Sequence, residues 1–112
     1  QETVNVDLSN PNATVYTHIY FLQDDSYQPQ KAAKAIFGLD ENEAIQKAIK
    51  IKKVLDGKGL YIDFNKIPRK PNYKDSIGYT AYSKYILFPQ RMPKISVEKI
   101  ENNWYYSSET IA

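Results

Sequence analysis

His18 is the single histidine of this 112-residue chain, and there is no cysteine. It is therefore the one side chain whose ordinary pKa lies near neutrality. Histidine catalysis needs a carboxylate to orient the ring or a nucleophile for it to activate, and the sequence spacing places neither beside it. The expectation is surface or boundary packing next to Ile19. The run Asp40-Glu41-Asn42-Glu43 gathers oxygens as a calcium loop would, but that loop requires glycine at its sixth position and glutamate at its twelfth. Ile45 and Ile51 stand there instead. Capping of a helix N-terminus accounts for the same acids without a metal.

The other candidates are weaker. Asp24 and Asp25 are adjacent and would not converge on a helix, so a turn is expected. Asp56 and Asp63 are isolated carboxylates without the partner that a paired-carboxylate hydrolase needs. Lys47, Lys50, Lys52, Lys53 and Lys58, with Lys66, Arg69, Lys70, Lys74 and ten tyrosines, would suit a basic surface with stacking aromatics. The lysines nevertheless fall on the polar side of an amphipathic stretch, where solvation is their usual role, and tyrosines commonly fill the half-buried rows of a sheet. No nucleic-acid role is expected. Asn12-Ala13-Thr14 matches the N-glycosylation acceptor pattern, here inside a helix start. The four glycines form no phosphate-cradling loop. These residues support no catalytic, cofactor-binding or metal-ligating site, and the expectation is a protein that is not an enzyme.

The elements that would hold these residues are legible by period. Ser9-Asn10-Pro11 announces a helix over about 12–23, with Ala13, Tyr16, Ile19 and Tyr20 as its apolar face and Asp24-Asp25-Ser26 as its break. A second short helix is predicted from near Pro29 through Ala32, Ala33, Ile36 and Phe37, ending at a left-handed Gly38. A third begins at Asp40, paired with Glu43 as an acidic capping box. It carries Ala44, Ile45, Ala48, Ile51, Val54 and Leu55 before Gly57 and Gly59 end it. Leu60–Phe64 reads as a strand, followed by a loop bearing proline and lysine from Ile67 to Asp75. Further strands are predicted over Tyr79–Phe88, across Ile95, Val97 and Ile100, and over Trp104–Tyr106, with Asn102-Asn103 as a hairpin turn. Ser107-Ser108-Glu109-Thr110 reads as a capped helix start. The fold class is α+β: about three N-terminal helices packed on one face of a three- to four-stranded antiparallel sheet, in a single domain over residues 1–112.

Composition agrees with this. The chain is 42% hydrophobic and 25% charged, and at this length about 65% of the unfolded surface should be buried. Apolar runs reach about four residues, against the roughly 20 that span a bilayer. The piece should be soluble. It starts at Gln1 without a signal-like segment, as expected of a chain whose targeting segment was removed or of part of a longer protein. The net charge of +2 conceals an asymmetry: residues 1–46 carry seven acids and two bases, residues 47–74 nine bases and two acids. The expected consequence is a dipolar surface.

Three stretches, LSNPNATVYTHIYFLQ, IKKVLDGKGLYIDFNKIP and ISVEKIENNWYYSSETIA, resemble the N-terminal extramembrane domain of bacterial proteins of the small-conductance mechanosensitive ion channel family. The matching segments are Asn10–Thr14, Val54–Asp56, Gly59–Pro68 and Trp104–Thr110. They depart from the family pattern at Asn10, where serine is expected, at Leu60-Tyr61, where a tryptophan is expected, and at Ser108, where proline often stands. The resemblance covers about half of the chain and carries no catalytic motif. It implies a periplasmic domain of a membrane protein, a ring of identical subunits, and spanning helices downstream of Ala112. A role in assembly, envelope-partner contact or modulation of gating follows. The alternative is a free-standing secreted ligand-binding module of the cone-shaped α+β type related to nuclear transport factor two, with a pocket between helices and sheet.

Overall fold

In a computed structural model describing residues 4–77 and 80–111, the first helix starts where the sequence announces it. Asn10 is extended, its side chain accepts the Ala13 amide at 2.8 Å, and Pro11 occupies the first helical position. Helix α1 spans Pro11–Tyr20, shorter at its C-terminal end than expected. Its inward face is a larger correction. Pro11, Asn12, Thr14, Val15, Thr17 and His18 are buried, whereas Tyr16 is 43% exposed and Ala13, Ile19 and Tyr20 are only half-buried. A polar face can turn inward because each of its polar side chains meets a backbone partner there.

After a 3₁₀ turn at Asp24–Ser26, helix α2 (Pro29–Ala32) tightens into a second 3₁₀ turn at Ala33–Ala35. Ala32, Ala33, Ala35 and Ile36 are buried, but Phe37, expected inside, is 48% exposed. The tighter winding shifts the face that later residues present. Gly38, with φ +88°, lies in the connection beyond rather than capping the helix.

Helix α3 (Glu41–Gly57) follows the expected pattern. The Asp40 carboxylate accepts the Glu43 amide at 2.8 Å, and Ala44, Ala48, Ile51 and Leu55 form the buried stripe. At its end Gly59 adopts φ +64°, the Leu60 amide donates to Leu55 O at 2.9 Å, and the Gly59 amide donates to Asp56 O. This is the paired-bond ending in which a hydrophobic residue just past the glycine folds back on the helix. Leu60 is buried accordingly. The predicted strand at Leu60–Phe64 does not form, because Leu60 completes the helix cap and the Asp63 carboxylate accepts the Asn65 amide to make a turn.

Strands β1 (Asp75–Ile77) and β2 (Thr80–Tyr82) pair antiparallel as a separate two-stranded sheet. The single strand expected over Tyr79–Phe88 is thus two, divided at Ser83, and Tyr79 lies outside the described residues. Strands β3 (Lys84–Phe88), β4 (Met92–Ile100) and β5 (Asn103–Tyr106) form an antiparallel sheet in that order. Ile100 pairs with Asn103, so the hairpin turn is Glu101-Asn102, one residue earlier than predicted, and Glu101 takes the positive φ. Helix α1 and the Ala33–Ala35 turn lie on the sheet, α3 packs against α2 and that turn, and a last helical turn, α4 (Ser108–Ile111), sits against β4 and α3. The architecture is α+β, with four helices, a three-stranded antiparallel sheet and a two-stranded one among the described residues. No helix among the described residues is long and apolar enough to cross a membrane.

Candidate functional site

The residues whose chemistry attracted attention are dispersed. Asp24, Asp25, Asp56 and Asp63 are exposed, and Asp40 caps α3. Lys50, Lys53, Lys58, Lys66, Arg69, Lys70 and Lys74 are exposed, with Lys47 and Lys52 half-buried. Lys52 pairs with Asp56 one helical turn away at 2.8 Å. Among the described residues, no three histidine or acidic side chains converge as a metal site would require.

His18 is the exception, since it is not at a boundary but fully buried. Its Nε2 lies 2.7 Å from Ala48 O, which can only accept, so Nε2 carries the hydrogen. Nδ1 is then an acceptor and receives the Tyr106 hydroxyl at 2.9 Å, the rings meeting edge to face with centroids 5.0 Å apart. Burial lowers the His18 pKa to about 4 and pushes that of the Tyr106 phenol up. The pair is neutral near pH 7. It joins α1, α3 and β5 through a carbonyl, a ring and a hydroxyl, and among the described residues neither a carboxylate nor a nucleophile is hydrogen-bonded to the ring. This makes it a structural joint, and the sequence offered no sign of it because all three parts are distant along the chain.

A second cluster involves Asn12 and Thr14. The Asn12 amide group donates to Phe64 O at 2.7 Å and Ile67 O at 3.1 Å, and its backbone N–H to Pro68 O at 3.0 Å. With 6% of its surface exposed, Asn12 clamps the 64–68 loop. The acceptor-like Asn-Ala-Thr pattern is therefore internal architecture. Thr14 Oγ1 donates to Trp104 O at 2.9 Å, the Trp104 indole N–H to Pro71 O at 3.1 Å, and its backbone N–H to Leu8 O at 2.7 Å.

The third cluster roots α4. Ser96 N–H donates to Thr110 Oγ1 at 2.9 Å, and Thr110 Oγ1 lies 2.7 Å from Lys94 O and 3.1 Å from Ser96 O. Its single hydrogen goes to a carbonyl, so Ser107 Oγ, 3.0 Å away, must donate to it, and Ser96 Oγ donates to Ser107 Oγ at 2.7 Å. The result is a one-way relay, Ser96 to Ser107 to Thr110 to backbone. Among the described residues no basic side chain is hydrogen-bonded to any of its hydroxyls. Lys84 and Glu109, paired at 3.0 Å, add a surface link between β3 and α4.

No protein-family model matches the chain, and no curated protein or solved structure shows a significant similarity to it.

Proposed function

We propose that the chain is a non-catalytic periplasmic N-terminal domain of a membrane protein resembling the small-conductance mechanosensitive channels, and that it sets the orientation of the segment following α4. One observation carries this reading: the separated stretches that bear the resemblance are those that interlock. Asn12 of the first holds Phe64, Ile67 and Pro68 of the second, Thr14 holds Trp104 of the third, and Ser107 with Thr110 fixes α4 to β4. Their spacing is therefore a requirement of shape, in keeping with motifs that specify a scaffold rather than a reaction.

A domain outside the bilayer influences gating only through contacts whose free energy differs between closed and open rings. The α4 root supplies a rigid lever for this, and the acidic first part facing the basic 47–74 segment of a neighbour supplies a subunit contact. The secreted binding module is less favoured. The space between α1 and the sheet, where its pocket would lie, is filled by His18, Trp104 and Tyr106, all at most 1% exposed.

The test is made on the full-length protein. Apolar stretches of about 20 residues should follow residue 112, and patch-clamp of membranes containing the protein should show tension-gated currents whose threshold moves on Thr110→Val. A native chain without spanning segments, or one that conducts nothing under tension, overturns the proposal.

A further inference from the structure

Residues 4–9 run alongside α1 and are pinned there by Thr17, whose Oγ1 accepts the Asp7 amide at 3.1 Å and donates to Asp7 O at 3.0 Å. Between this strap, α1 and the loop around residues 64–69 lies an open groove of about 420 Å³, lined among others by Asn5, Asp7, Asn12, Tyr16, Phe64 and Arg69. Asn12 shows that the groove is more than a surface crease. Both hydrogens of its amide group are committed to Phe64 O and Ile67 O, which fixes the amide's orientation. Its Oδ1 therefore faces elsewhere, as an acceptor with no partner among the described residues. No fully buried side-chain polar atom among those residues lacks a partner. That oxygen is therefore not fully buried, and Asn12, itself 94% buried, is one of the residues that line the groove.

The remaining lining narrows the ligand chemistry. Arg69 makes no ion pair among the described residues, and one Asp7 oxygen is left over after the other accepts the Ser9 amide at 3.0 Å. An anion would meet the Asp7 carboxylate and a cation would meet Arg69. A neutral ligand rich in hydroxyls satisfies both, donating to Asn12 Oδ1 and Asp7 while accepting from Arg69, since each hydroxyl does either. The Tyr16 ring, 43% exposed, set edge-on to Phe64 at 5.7 Å and stacked on Tyr20 at 5.6 Å, gives an aromatic surface for the C–H face of a sugar ring. The volume is that of an ordinary small-ligand site.

We propose that this groove is a binding site for a short neutral oligosaccharide, with Tyr16 as the stacking platform and Asn12, Asp7 and Arg69 as hydroxyl partners. The site stands whether or not the chain belongs to a channel. It is tested by titrating the isotope-labelled 112-residue chain with cellotetraose, maltotetraose, chitotetraose and, as a non-sugar of similar length, tetraalanine, following backbone amide shifts. At least one tetrasaccharide should give saturable shifts centred on residues 5, 7, 12–16 and 69. A preference for chitotetraose would identify the acetamido sugars of wall glycans as the source, and a preference for the others a free glucan. Tyr16→Ala and Arg69→Ala should each weaken binding about tenfold or more, while Tyr61→Ala, at a 91% exposed site outside the groove, leaves it unchanged. Absence of saturable shifts with every sugar, shifts centred elsewhere, indifference to both groove variants, or equal binding of tetraalanine overturns the proposal.

Discussion

Helices α1 and α3 both bury one face, but by different physics. The α3 face is Ala44, Ala48, Ile51 and Leu55, held by apolar area and close packing. The α1 face is Asn12, Thr14, Thr17 and His18 around Val15, held by hydrogen bonds to the carbonyls of Phe64, Ile67, Trp104, Asp7 and Ala48. An apolar stripe is indifferent to direction and tolerates exchange at constant volume. A hydrogen-bonded face is not, because removing one side chain leaves its buried partner unsatisfied. One helix is thus fixed by volume, the other by address.

The largest effect should come from volume at the α3 face. Leu55, 2% exposed, should lose about 2–5 kcal/mol on Leu55→Ala and less than about 1.5 kcal/mol on Leu55→Met, read from denaturant unfolding. Equal losses for the two would show that α3, too, depends on shape-specific contacts.

Next comes acid acting on the α1 face. The folded pKa of His18 is lowered from 6.5 to about 4, so between these values the unfolded chain binds the extra proton and stability rises with pH. Stability contributed by the neutral ring is fully present above pH 6.5 and is lost as pH falls towards about 4, where the loss reaches about 3 kcal/mol. Thermal melts from pH 7 to pH 4 should show this slope, and His18→Gln, though less stable at neutral pH, should flatten it. A slope that survives in His18→Gln assigns the acid sensitivity to other groups.

The smallest effect is the removal of one address without a change of volume. Thr14→Val keeps the shape but leaves Trp104 O without its hydroxyl partner, and should destabilise by about 1–3 kcal/mol in the same unfolding assay. A neutral outcome would mean that water replaces the hydroxyl and that α1 is held by Val15 and its neighbours.

The same contrast explains what the sequence disclosed. Helix α3 was readable to its caps because its apolar stripe, Asp40 and Gly59 are local signals; β4 was readable from the alternation Ile95-Ser96-Val97-Glu98, although Ser96 proves buried, and β5 from its aromatic residues. The buried face of α1 was not, because Asn12, Thr14 and His18 look solvent-facing until their tertiary partners, from 30 to 90 residues away, are known. The Leu60–Phe64 segment misled for the opposite reason: its strand-like composition serves a helix ending and a turn. Of the groove, only the type of its residues was legible, and Asn12 was noticed for a pattern unrelated to its position. The α4 start was legible as a capped helix, but not its anchoring, which needs the strand carrying Lys94 and Ser96 beside it.

The hydroxyl relay at the root of α4 has a mechanical corollary. Moving α4 away from β4 breaks three links together: Thr110 Oγ1 to Lys94 O, Ser96 N–H to Thr110 Oγ1, and Ser96 Oγ to Ser107 Oγ. A force that peels α4 from the strand is thus shared among bonds acting in parallel, whereas a small rotation at Thr110 can hand its hydrogen from Lys94 O to Ser96 O.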